Sequence, residues 1–120
     1  MSIYDYLYVI QQKIILDLAE KGPCVIVGRC SDFILKDRPD ALHAFIYADT
    51  AFKAERIVRL YGESENSPEE RLKTKDKKRS INYKHFTGRE WGDPKNYEIM
   101  LKSSAIGVDK CVDILAGICK

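Results

Sequence analysis

"GPCVIVGRCSDFIL" (residues 22–35) is the stretch whose reading decides the fold. Gly22 and Pro23 stop whatever precedes them, and "CVIVG" (24–28) is then short, apolar and largely β-branched. A run without polar alternation is the pattern of a strand covered on both faces, as in a parallel sheet with helices above and below it. Gly28 and Arg29 fall where that strand ends, and "SDFILK" (31–36) reads as a short helix beyond it. In open parallel sheets ligands bind past the carboxyl ends of the strands, which makes Arg29 a candidate anion ligand. Its plainer use would be to satisfy a helix carbonyl.

The same alternation continues outward. Upstream, Ile3, Leu7, Ile10, Ile14 and Leu18 recur at helical spacing, predicting an amphipathic helix over residues 3–20. Downstream, "RPDA" (38–41) is turn chemistry and "LHAFIYA" (42–48) is a second buried strand. Asp49 or Thr50 caps a helix that runs to Tyr61 and stops at Gly62. A polar loop follows, and then Ser67, Pro68 and Glu70 spell a capping box at the start of a long helix. "YEIMLKS" (97–103) reads as a third strand and "GVDKCVDILAGICK" (107–120) as a closing helix. Strands alternating with helices predict a single domain with a parallel, three-layer α/β sheet.

Composition narrows the function classes. The chain has 120 residues, 45% of them apolar, and a formal net charge of only +2. The charge is nevertheless local: from Arg71 to Lys84 seven cations (Arg71, Lys73, Lys75, Lys77, Lys78, Arg79 and Lys84) face the single acid Asp76. No apolar run approaches the roughly 20 residues needed to cross a bilayer. "MSIYDYLYVIQQK" (1–13) lacks the apolar core of a secretion signal. Cys24, Cys30, Cys111 and Cys119 therefore read as buried, reduced thiols in a cytoplasmic protein. No Cys-x-x-Cys pair or His cluster offers a metal site, and neither His43 nor His85 has the partners of a catalytic triad.

The basic helix has two readings. One is a solvated face, the usual fate of a charge run. The other is a clamp for phosphate groups. At about 3.6 residues per turn, Arg71, Lys75, Lys78 and Asn82 share one face, and Leu72, Asp76, Arg79, Tyr83 and Phe86 the adjacent one. Asp76 stands one turn from Arg79 and can aim its guanidinium, which matters for bidentate grip of a phosphate. Further cations follow the second strand (Arg56 and Arg59, one turn apart), and Ser103 and Ser104 end the third. Convergence on one sheet edge favours a polyphosphate ligand. A nucleic-acid partner is not expected, because aromatic interleaving and groove-reading motifs are missing. Trp91 reads as a plug for the turn after the helix, with base stacking as its alternative. Tyr4, Tyr6 and Tyr8 suit either an association surface or a frayed end.

"GPCVIVGRCSDFIL", "RPDALHAFIYADTAFKAERIVR" and "KTKDKKRSINYKHFTGREWGDPKNYEIMLKSSAIGVDKCVDIL" together resemble the cytidylate kinases, most closely the bacterial cytidylate kinase-like group. The resemblance implies a P-loop nucleoside monophosphate kinase fold, Mg-ATP as phosphoryl donor and a CMP-like acceptor. By position, Arg29, Lys78, Asp76 and Arg59 would serve the acceptor; Arg79, Lys75 and Arg56 would serve the transferring group. Residues 67–92 would form a mobile lid. Phosphoryl transfer is mostly positioning and cationic stabilisation, which suits such a set. The chain departs from the family at Asn82-Tyr83, where Tyr-Tyr is usual. It departs more deeply in having no Gly-x-x-x-x-Gly-Lys-Ser/Thr loop. That implies residues 1–120 are one partial kinase-like domain, the carboxyl-terminal part, without the central P-loop strand that lies between "CVIVG" and "LHAFIYA". Those two strands would then pair directly, or accept a strand from another chain, as a homo-oligomer or with a missing amino-terminal half. The expected outcome for the isolated chain is no catalysis, with nucleotide or anion binding as the alternative function.

Overall fold

In a computed structural model that describes residues 2–119, six helices, a single 3-10 turn and two strands are present among the described residues. Helix α1 (Ile3–Lys21) opens on a complete capping box. The Asp5 N–H donates to Ser2 Oγ at 3.1 Å, and the Ser2 N–H donates back to Asp5 Oδ2 at 3.4 Å. Two short pieces follow, α2 (Ser31–Ile34) and strand β1 (Ala44–Tyr47). Helix α3 (Thr50–Tyr61) starts after Asp49 and stops at Gly62, and α4 (Pro68–Thr87) starts after Ser67 and stops at Gly88. Beyond a 3-10 turn at Pro94–Asn96 come strand β2 (Ile99–Lys102), α5 (Ser103–Ile106) and α6 (Val108–Ile118).

Strands β1 and β2 pair in parallel, Ala44 with Ile99 through Tyr47 with Lys102. Their carboxyl ends are tied by side chains. Ser103 Oγ donates to the Tyr47 carbonyl at 3.2 Å, the Asp49 N–H donates to Ser104 Oγ at 3.0 Å, and Lys102 Nζ lies 3.1 Å from Asp49 Oδ1. Both serines are thus engaged in holding the strand ends together. At the amino ends, the Glu98 N–H donates to the His43 carbonyl at 2.9 Å and extends the ladder by one bond.

The first of the three expected strands, "CVIVG" (24–28), does not form. Residues 24–28 carry no ladder bonds, and Val25 and Val27 are 92% and 86% exposed. Direct pairing of this segment with β1 is therefore not the arrangement adopted, and the sheet has two strands instead of three. The reason is local: with no neighbouring strand, a β-branched run has neither backbone partners nor a surface to cover it. The cysteine reading also needs correcting. All four are free thiols, but only Cys111 is buried, while Cys24 and Cys119 are exposed. The capping box at Ser67 is half made: Ser67 Oγ accepts the Glu70 N–H at 3.2 Å without a return bond from the Ser67 N–H.

What core exists is small: Ile15, Leu35, Ala54, Ile57, Tyr83 and Cys111. Much of α1 stays uncovered, with Ile3, Tyr4, Tyr6 and Leu7 all exposed. It packs on α2, and its amino-terminal half meets the end of α4 through Tyr8 stacked on Phe86, centroids 4.4 Å apart, and through Asp5 at 3.3 Å from His85. That His85 contact, ahead of the Ser2 bonds, holds the Asp5 carboxyl below the usual carboxylate range.

The contrast between core and uncovered segment predicts unequal costs. Ile57→Ala should lower unfolding stability by about 2–4 kcal/mol in a urea titration. A Val25→Thr/Val27→Thr pair should leave it within about 0.5 kcal/mol of the parent, as for surface changes generally.

Candidate nucleotide-phosphate site

Helices α3 and α4 form an antiparallel hairpin hung from the carboxyl end of β1, fastened where Arg71 donates to the Gly62 carbonyl at 2.8 Å. Farther along, Asp76 bridges the two helices. Its Oδ1 accepts from Arg79 at 2.9 Å and its Oδ2 accepts from Lys53 Nζ at 3.1 Å. The first bond is the aiming contact expected from sequence. Lys53, on α3, was not foreseen. The signal was available only at the level of the hairpin, which brings Lys53 and Asp76 into one layer although 23 positions separate them.

With both carboxylate oxygens of Asp76 engaged, two cations are held on one acid. The carboxylate is only partly exposed, and Arg79 keeps more than half of its side chain open to solvent. A local excess of positive charge with free N–H groups is suited to a phosphate. Arg56 lies one turn along α3 from Lys53, half-buried and without an ion pair among the described residues. Lys75 and Lys78 are on the solvent side of α4: Lys75 Nζ stands 5.6 Å from the Tyr61 ring centroid, and Lys78 has no ion pair among the described residues. Arg59 is otherwise occupied. It meets Glu55 at 3.2 Å and borders a shallow depression of about 590 Å³ that Glu55 and Glu69 also line.

Arg29 has the most unusual backbone of the set. Gly28, Arg29 and Cys30 all have positive φ, at 68°, 59° and 57°, in a turn closed by the Ser31 N–H donating to the Gly28 carbonyl at 3.1 Å. Glycine takes that conformation freely, but the other two side chains do so at a cost of about 1 kcal/mol or more each. The strained turn leaves Arg29 exposed beyond residues 24–28.

Behind the hairpin, Asp32 organises a second layer that sequence reading missed. Its Oδ2 accepts the Tyr83 hydroxyl at 2.8 Å, and its Oδ1 accepts the Phe33 N–H at 2.9 Å. Burial, then this bond to Asp32, pushes the Tyr83 phenol up to about 12; burial and the Asp32 charge raise Tyr97 as well. Trp91 packs edge-on against Phe45 at 5.3 Å, and Tyr97 leans on the same ring at 5.1 Å, so Trp91 plugs the turn after α4.

The architecture defines a class: a mixed α/β protein with a small parallel strand pair and a basic helical hairpin at its carboxyl edge. The chain belongs to the cytidylate kinase-like family, whose family model matches residues 1–105. It is also similar to the crystal structure of an uncharacterized protein from Eubacterium ventriosum, with a TM-score of 0.86 and 32% identity. The match covers 93% of this chain and 64% of that one, so this chain spans less than two thirds of that protein's length. No curated protein matches. Family membership indicates kinase ancestry and nucleotide use in general.

Of the groups that would hold Mg-ATP, the phosphate-cradling Gly-x-x-x-x-Gly-Lys-Ser/Thr loop is not among these 120 residues. Among the described residues, no three His, Cys, Asp or Glu side chains gather to hold a divalent ion. Among the described residues no helix is long and apolar enough to cross a membrane.

The Tyr83–Asp32 bond has a pH signature. A phenol raised in the fold is bound neutral, so its contribution is full below the unfolded value near 10 and is lost as pH climbs toward about 12. Alkaline stability should therefore fall across that window in pH-resolved urea titrations. Tyr83→Phe should remove part of the slope, leave the share due to Tyr97, and cost about 1 kcal/mol at neutral pH.

Proposed function

We propose that these residues are the acceptor-binding and lid portion of a cytidylate kinase-like nucleoside monophosphate kinase of P-loop type. In this reading Arg29 and Lys78 grip the monophosphate, and Arg59 is a peripheral contributor. Asp76 aims Arg79 at the phosphoryl group in transit, while Lys75 and Arg56 add positive charge around it. Residues 67–92 act as the lid. The observation that carries the reading is the Asp76 bridge, which fixes Arg79 and Lys53 on one carboxylate within a family whose substrates are nucleotides.

The chemistry follows from charge. A transferring phosphoryl group spreads negative charge over its oxygens, and cations already held in place stabilise that charge without rearranging. Arg79 is held in this way by Asp76. What is lacking is the nest that would hold the donor's phosphates, so no transfer step is assigned to this chain alone. The full three-layer sheet requires a strand beside residues 24–28 and a glycine-rich loop, contributed from outside these 120 residues. The unpaired, exposed Val25 and Val27 and the 64% coverage of the longer relative both support that requirement. The second reading, a non-catalytic nucleotide-binding chain that pairs with a P-loop-bearing partner, rests on the same uncovered segment.

Calorimetry with CMP separates these from a merely solvated helix. CMP should bind weakly and salt-sensitively, and Arg79→Ala should weaken it by about 10- to 100-fold, the value of one charge-assisted contact. Unchanged affinity in that variant would remove the proposal. Arg29→Gly should also weaken CMP, yet leave the fold at least as stable, by up to about 1 kcal/mol, because the left-handed turn is relieved. ADP release from Mg-ATP and CMP should stay at background with the chain alone.

A further inference from the structure

At the amino ends of the two strands, opposite the hairpin, the surface carries a polar depression of about 250 Å³ lined by Asp32, Lys36, His43, Arg89, Lys95 and Glu98 among others. His43 and Glu98 immediately precede β1 and β2, so this depression lies at the far edge of the sheet from Asp49 and Ser104. We infer that it is a separate binding site for a compact phosphate-type oxyanion, held by Lys36, Arg89 and Lys95.

Three observations combine. First, the wall carries three cations, Lys36, Arg89 and Lys95, against two carboxylates whose oxygens mostly accept bonds from within the protein. Both Asp32 oxygens accept bonds, from Tyr83 and Phe33, and Glu98 Oε1 accepts the His43 N–H at 3.3 Å, which leaves one Glu98 oxygen. Second, the cations are not spent. Among the described residues Arg89 and Lys95 have no ion pair, and Lys36 has only a 3.9 Å approach to Asp37. Lys36 Nζ and Arg89 Cζ are held instead over the Phe33 ring, 4.2 and 5.0 Å from its centroid, which fixes positive charge beside the depression without neutralising it. Third, the His43 ring lines the same wall; its Nε2 is covered from solvent and has no hydrogen-bond partner, so the ring reports on the depression without itself gripping a ligand.

Size selects the ligand. About 250 Å³ is ample for a phosphate group and lies below the roughly 300–1,000 Å³ typical of sites that bury drug-sized ligands. Free phosphate and the phosphoryl end of a small ester share this chemistry. Arg89 follows the α4 stop at Gly88 by one residue, so a bound oxyanion would also pin the base of the basic helix.

Inorganic phosphate and methyl phosphate, each titrated into the 120-residue chain while NMR follows the His43 ring and the amides of residues 36, 89 and 95, distinguish the two sources. Saturable shifts at those positions with either ligand are expected, weakened at least 10-fold in a Lys36→Ala/Lys95→Ala variant and unchanged in Arg79→Ala. Both lysines are exposed, so the double variant should fold; its unaltered urea midpoint checks this. Absence of saturable shifts with both ligands, or equal affinity in the double variant, overturns the inference. Because CMP binding at the hairpin is read through Arg79→Ala, failure here and failure there are separate results.

Discussion

The parallel pairing of β1 with β2 is the constraint on which the rest of the molecule depends. It joins segments 55 positions apart, and its direction gives the two edges of the sheet different chemistry. At the carboxyl edge, Asp49, Lys102, Ser103 and Ser104 close the strand ends and start α3 in a fixed direction. At the amino edge, His43 and Glu98 are brought side by side. Without that ladder the hairpin would have no fixed origin on the sheet.

The ladder is also unfinished. A parallel sheet is normally covered on both faces and bordered by further strands, and two strands of four residues bury little. The cost is visible in the exposed valines of residues 24–28 and the uncovered side of α1. Backbone groups in such a segment can be solvated, so the molecule tolerates the arrangement, but the apolar side chains gain nothing from it. An added strand would bring both hydrogen bonds and cover.

Local signals in the sequence were dependable for different reasons than long-range ones. The bounds of α3 and α4 follow from Asp49, Gly62, Ser67 and Gly88, because caps and stops act within one turn. The Asp76–Arg79 contact was legible for the same reason, being three positions apart on one helix. Residues 24–28 have the composition of a buried strand, yet strand formation is a property of a pair, and no partner is present. Lys53 and Asp32 escaped notice because each works through a residue 23 or 51 positions away, and neither lies in a repeating pattern. The hydroxyls of Ser103 and Ser104 were correctly located at a strand end, but the structure uses them to hold the backbone.

Strain and charge fall in complementary places. The left-handed turn at Arg29 and Cys30 raises the energy of the folded chain at a point where no packing is gained, since Arg29 is exposed. A turn built only for stability would place glycine at both positions. Holding Arg29 there fits a side chain whose direction matters more than its cost, as does fixing Arg79 on a carboxylate that also serves Lys53. Of the two cations only Arg79 is held by a partner, the acid it shares with Lys53; at Arg29 only the backbone turn is set. The Asp76 bridge needs no ligand to form, so Arg79 is positioned by the fold itself.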